Sequence, residues 1–226
     1  MKRLTLTLLM ATLTMLITGC NPQTMVTYQL NDKLPTLNDV KVVADNTAIG
    51  FEWQPLYRKG IEGVNIYRSE PNIYANSNTK RLTKVATINN PFASHYVDTG
   101  LKQNSTYTYT FTTIKGGYES AHGKIIDVKT LPPLPKVTFF QGVQRSQHTI
   151  KLIWRPHPNK KIKMYKIERS LNGAKWVWVS SVENRLMAEY IDTFVKPGNK
   201  YQYRVIAVGF DDSYSIPSDI VTIHTR

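Results

Sequence analysis

YVDTGLKQNSTYTYTFTTI, residues 96–114, aligns without a gap on YIDTFVKPGNKYQYRVIAV, residues 190–208. Tyr96 meets Tyr190, Asp98 meets Asp192, Thr99 meets Thr193, Tyr107 meets Tyr201 and Tyr109 meets Tyr203, at a constant offset of 94. Upstream, FEWQP (51–55) falls on LIWRP (152–156), and IYRS (66–69) on IERS (167–170), at an offset of 101. The first copy therefore carries a seven-residue insertion, placed within EPNIYANSNTK (70–80), a polar loop-like stretch where extra length costs little. A repeat of this length means one structural unit built twice.

Both units read as strands. DVKVVAD, TAIGFEW, GVNIYRS, LTKVATI, SHYVDT, TYTYTFTTI and KIIDVKT in the first half show period-two polarity. KVTFFQG, TIKLIWR, MYKIERS, WVWVSSV, AEYIDT, YQYRVIAV and DIVTIHT repeat the theme in the second. No helix-period stretch of useful length interrupts them, and regular short strands with turn signals point to a sandwich or barrel. Leu131-Pro132-Pro133-Leu134-Pro135 stiffens the backbone and removes ladder donors, which places a domain boundary there. The expectation is two all-β domains, 36–131 and 132–226.

The residues resemble a family. A strand with tryptophan near its end (Trp53, Trp154) is similar to strand B of fibronectin type III domains. The family's leucine-x-proline-x-threonine-x-tyrosine pattern before strand F is matched by Leu101 to Tyr107, without the proline. Val195 to Tyr201 matches it with valine for leucine and lysine for threonine. Ser215-Ile216-Pro217-Ser218 resembles the family's approach to strand G. The resemblance covers roughly 37–226 and implies two tandem seven-stranded fibronectin type III-like β-sandwiches. Tyr107 and Tyr201 would then be tyrosine corners, and Trp53 and Trp154 would fill the cores.

MKRLTLTLLMATLTMLITGC opens the chain. A basic start at Lys2 and Arg3 precedes the apolar run Leu4–Ile17, shorter than the about 20 residues that a membrane helix needs, and reads as a secretory signal peptide. Ile17-Thr18-Gly19-Cys20 resembles the lipobox of bacterial lipoproteins, which implies removal of 1–19 and acylation of Cys20. Three chains at about 0.8 kcal/mol per buried CH₂ would anchor the protein stably in a bilayer. The alternative is an ordinary secreted protein with an incidental cysteine. Cys20 is the only cysteine, so a disulfide framework and thiolate zinc sites are excluded. Residues 20–35 are expected to be a polar tether, in which TMVTYQL could pair as a short strand. Asn21, where an aspartate would signal inner-membrane retention, leans towards the outer membrane, with the domains in the periplasm or at the cell surface.

The net charge of +13 is uneven. Residues 36–131 hold 11 basic and 8 acidic side chains, and residues from Pro132 on hold 15 and 7. Arg155, Lys160, Lys161, Lys163 and Lys166 lie within RPHPNKKIKMYK and form a candidate docking surface for an acidic partner; a solvated loop is the alternative. Lys175-Trp176-Val177-Trp178-Val179 would carry apolar residues on both strand faces. Trp176 aligns with Leu82 and is expected in the core, with Trp178 partly exposed at a partner or sugar contact.

Nothing in the sequence announces catalysis. His95, His122, His148, His157 and His224 lie at no ligand spacing, and GxSxG, P-loop and GxGxxG motifs are absent. Asp211-Asp212 and the repeated Asp98 and Asp192 are read as turn residues, and no cofactor or metal is implied. The expected function is a non-catalytic, lipid-anchored envelope protein that brackets other envelope proteins with acidic surfaces. By fold analogy alone, this could be an accessory part of a machine such as a flagellar motor. The alternative is a carbohydrate- or peptidoglycan-binding module. Export makes nucleic acid an unsuitable partner.

Overall fold

The structure is a computed structural model that describes residues 27–71 and 81–226. Cys20, the apolar leader and most of the inserted loop lie outside the described residues.

Alternating apolar positions drive two sandwiches. In the first, β2 (Lys41–Ala44), β3 (Ala48–Glu52) and β6 (His95–Thr99) form a three-stranded sheet in the order β2-β3-β6. The facing sheet runs β5 (Thr83–Ile88), β4 (Gly63–Ser69), β7 (Thr106–Lys115) and β9 (Ile126–Lys129). In the second, β10 (Gln141–Ser146), β11 (Thr149–Ile153) and β14 (Glu189–Asp192) face β13 (Val177–Glu183), β12 (Ile162–Leu171), β15 (Lys200–Gly209) and β16 (Val221–His224). This three-plus-four antiparallel order, repeated, is the fibronectin type III-like β-sandwich. The cores are separate. Ile49, Phe51, Trp53, Ile66, Tyr109 and Phe111 centre the first, and Ile150, Leu152, Trp154, Tyr165, Tyr203 and Val205 the second.

Trp53 and Trp154 are buried, and both tyrosine corners form. The Tyr107 hydroxyl accepts the Lys102 backbone N–H at 2.8 Å, and Tyr201 accepts that of Lys196 at 2.8 Å. Each closes the turn before its strand while its ring fills the core.

The first sandwich departs from seven strands. β1 (Gln29–Leu30) runs parallel to β8 (Tyr118–Glu119), which in turn pairs with the end of β7. Residues from about 28 onward therefore belong to the first sandwich, ahead of the expected boundary at 36. Asn31 N–H reaches Glu119 O at 2.8 Å, Thr113 Oγ1 donates to Pro35 O at 2.7 Å, and Lys84 Nζ sits 5.2 Å from the Tyr28 ring centre. β7 explains why. Its outward residues Thr108, Thr110 and Thr112 are buried as fully as its inward aromatics, so something must cover them. The chain from Tyr118 to Gly123 does so at Thr112 and Thr110, and Asp127 of β9 takes the Thr108 hydroxyl.

Candidate interaction surface

The basic segment is split by the fold. Arg155 follows β11, with its guanidinium 5.0 Å from the Phe139 ring centre. Lys160 is exposed in the loop after it. Lys161 reaches out of the second sandwich to Asp45 of the first, with Nζ 2.7 Å from Oδ2. Lys163 pairs with Asp212 at 2.6 Å and Lys166 with Glu168 at 3.0 Å. Three of the five cations thus have a carboxylate of the same chain against them, and Lys166 shares its carboxylate with Arg204. The hydrogen bond from Lys161 holds the Asp45 carboxyl below its usual range, and Asp45 raises the lysine in return.

Asp45 stands among further contacts between the sandwiches. Asn46 Nδ2 donates to Pro132 O at 2.6 Å, and Thr47 Oγ1 to Asp211 O at 2.7 Å. The Gln103 amide bonds the backbone of Tyr214 in both directions, each at 3.1 Å, as a strand would. The prolines between the sandwiches are therefore backed by a polar clamp.

The outer face of the β13–β12–β15–β16 sheet is different. Trp178 lies opposite Glu168, and Glu168 opposite Arg204. Arg204 donates to Glu168 at 2.7 Å, and Lys166 approaches the same carboxylate. Burial alone would raise the Glu168 carboxyl, yet hydrogen bonds from Lys166 and Arg204 hold it below its usual range. Trp178 stands at the rim of this network, 64% exposed. Trp176 is not in the core as expected. It precedes β13, half-buried, with the Arg204 guanidinium 4.5 Å from its ring centre. The register shift between Ile167 and Glu168 is the reason: it turns Trp178 outward while Val179 and Val182 still pack on the core.

Asp98 and Asp192 do more than turn the chain. Asp98 accepts two hydrogen bonds from Arg68 Nη1, at 3.1 and 2.9 Å, and one from the Tyr109 hydroxyl at 2.8 Å. Asp192 accepts Arg169 at 2.7 Å and the Tyr203 hydroxyl at 2.8 Å. Each arginine also lies 5.6 Å from the ring centre of its tyrosine corner. Arginine, aspartate and tyrosine come from three strands and staple the two sheets of each sandwich. Burial and the carboxylate push the Tyr109 and Tyr203 hydroxyls far above the ordinary tyrosine value. The repeat contained the signal, since Arg68 and Arg169 occupy the same place in IYRS and IERS.

His157 is buried, with Nδ1 accepting the Asn159 N–H at 3.1 Å, so Nε2 carries the proton it gives to Pro135 O at 3.0 Å. Asp211 Oδ1 accepts both the N–H and the hydroxyl of Ser213, as a turn residue does. Among the described residues, no three His, Cys, Asp or Glu side chains gather as a metal site.

No protein-family model matches the chain. No curated protein matches it either. Among solved structures, it is similar to the FN1–FN3 domains of chicken CNTN1, with 19% identity over 85% of this chain and 68% of that one, at a TM-score of 0.43. A two-domain fibronectin type III segment of chicken tenascin shares 16% identity over 84% of this chain and all of that one, at a TM-score of 0.38.

Proposed function

We propose that the protein is a non-catalytic envelope lipoprotein, held to a bilayer through Cys20, that brackets other envelope proteins through the outer sheet face around Trp178. One contrast carries this reading. The equivalent face of the first sandwich is sealed by its own chain, where Asn65, Tyr67 and Thr112 all donate to the Glu119 carboxylate. The second sandwich leaves that face open, with a tryptophan on it. An exposed aromatic beside a fixed charge network suits a protein hot spot.

A sugar platform is less well supported. Trp176 already has Arg204 on its ring, and the exposed Tyr57 packs against Phe92 within the first sandwich, 5.1 Å between the centres of the tilted rings. On the outer face of the β13–β12–β15–β16 sheet that leaves Trp178 alone as a free aromatic among the described residues.

The test is a crosslinking pull-down from intact cells, comparing wild type with Trp178→Ala and with Cys20→Ala. Envelope proteins retained by wild type and lost with Trp178→Ala support the bracket. An unchanged catch moves the docking face elsewhere, and recovery of peptidoglycan fragments alone replaces the bracket by a wall-binding module. Cys20→Ala is expected to release the protein from the membrane fraction. Neutralising Lys161 and Lys163 is a poor probe of docking, because it removes internal pairs.

A further inference from the structure

Four segments meet at the end of the second sandwich that points away from the first. Strand pairing brings Ser146 opposite Thr149, Leu171 opposite Tyr201, and Lys200 opposite His224. Bonds between the loops tie them: His148 Nδ1 to Val195 O at 3.0 Å, Asn172 Nδ2 to Asn199 Oδ1 at 2.9 Å, and Gln144 Nε2 to Arg226 O at 3.1 Å. Residues 144–149, 171–176, 193–200 and 224–226 carry Arg145, Lys175, Lys196, Lys200 and Arg226, and no aspartate or glutamate. All five cations are exposed. Among the described residues none of them forms an ion pair, whereas Lys136, Lys151, Lys161, Lys163, Lys166, Arg169 and Arg204 of the same sandwich all do. The nearest carboxylate in sequence, Asp192, is buried against Arg169. The free positive charge of the second sandwich is thus concentrated at this end, away from the basic stretch of sequence.

An aromatic projects from the same end. Phe194 is 81% exposed, and the turn that carries it is fixed by its own N–H on Asp192 Oδ1 at 2.9 Å. Leu171 and Val177, at the ends of β12 and β13 in the facing sheet, are exposed as well.

We propose that this end docks on the headgroup layer of an anionic lipid bilayer, with Phe194 entering the interface and the lysines and arginines resting on the phosphates. The chemistry favours lipid over an acidic protein. The cations are spread over four exposed loop and terminal segments, which suits a deformable plane of charge. A basic ring around an apolar tip is the composition that binds membrane interfaces. Each cation near such a surface strengthens binding roughly fivefold. The inference stands on observations separate from the Trp178 face.

The experiment places the full chain in neutral phosphatidylcholine vesicles and measures capture of labelled acceptor vesicles with and without phosphatidylglycerol. Capture of anionic acceptors only, weakened at high salt, is expected. Lys175→Glu/Lys196→Glu/Lys200→Glu should lower it by about 100-fold or more. Lys175→Gln/Lys196→Gln should lower it by roughly 25-fold, and Phe194→Ser should weaken it with the charge intact. Trp178→Ala should leave it unchanged. Thermal midpoints equal to wild type show that the variants are folded. Equal capture of neutral and anionic acceptors, equal capture by the charge-reversed variant, or retention on immobilised polyglutamate with no vesicle capture would each overturn the proposal.

Discussion

A buried charge is expensive unless its partner is fixed, so the arginine–aspartate–tyrosine staples are the residues on which each sandwich depends most. Asp192 is 1% exposed, and Arg169 lies over the Tyr201 ring with its charge matched, among the described residues, by that carboxylate. Asp192→Ala leaves the guanidinium uncompensated and should destabilise the second sandwich by about 3–5 kcal/mol in urea denaturation. Replacing the whole unit, Arg169→Met/Asp192→Leu/Tyr203→Phe, removes the charged pair and the hydroxyl together, leaves the N–H of the exposed Phe194 to water, and should cost less than the single change. The tyrosines add a pH dependence. Folding raises the Tyr109 and Tyr203 hydroxyls, so their contribution is fully present below about pH 10, the unfolded value, and is lost as pH rises through the folded one. Tyr96, pushed up to about 12 chiefly by burial, acts in the same direction. Ultraviolet titration should show these tyrosines ionising together with alkaline unfolding. Early ionisation in the folded protein would remove the staple from the account. At this scale the sequence was half legible. The tyrosine corners were readable because they follow a local motif. The role of Asp98 was not, because its partners Arg68 and Tyr109 are 30 and 11 residues away, and only the fold joins them.

β7 and β15 descend from the same sequence pattern and meet different surroundings. β15 alternates between buried and half-buried residues as a two-sided strand should, whereas β7 is buried on both faces between its ends. The alternation in TYTYTFTTI identifies a strand, but it does not say what lies over the threonine face. A threonine row satisfies either environment, since its hydroxyl can bond water or a covering backbone. Thr110 Oγ1 donates to Gly123 O at 3.0 Å. Gly123 is required by the cover itself, because a Cβ there would lie 2.0 Å from Leu37 O. Gly123→Ala must push the 34–38 segment off β7, which should expose amides of residues 29–38 to hydrogen exchange while those of β3 and β4 stay protected. Glu119→Ala is expected to loosen the same cover, leaving Asn65, Tyr67 and Thr112 without their shared acceptor at a cost of about 1–3 kcal/mol. If neither change alters exchange near residue 30, the N-terminal segment does not hold to the first sandwich in solution.

The whole molecule is defined by how one sandwich is held to the other, and this was the part least visible in the sequence. Lys161 and Asp45 are 116 residues apart, and a run of lysines advertises its charge without its counter-ions. The pair is half exposed, 52% for lysine and 43% for aspartate, so by itself it contributes about 0.2–1 kcal/mol and is screened by salt. The bonds of Thr47 to Asp211, Asn46 to Pro132 and Gln103 to Tyr214 are indifferent to salt. The orientation should therefore survive high salt and loosen only when both classes are removed. Asp45 is lowered on folding, so its contribution is present above about pH 4, the unfolded aspartate value, and disappears as pH falls through the folded one. Lys161 is raised, so its contribution is present below about pH 10.4 and is lost as pH rises through the folded value. Between those limits the clamp should be constant. Paramagnetic relaxation from a spin label on the second sandwich, read at amides of the first, measures the orientation directly. Lys161→Gln at neutral pH should broaden the distribution slightly, and Thr47→Ala/Gln103→Ala should broaden it further. The triple variant should give two independently tumbling sandwiches with their separate melting unchanged. If wild type already shows independent tumbling, the polar clamp does not form in solution, and the cationic end of the second sandwich has no fixed direction relative to the first.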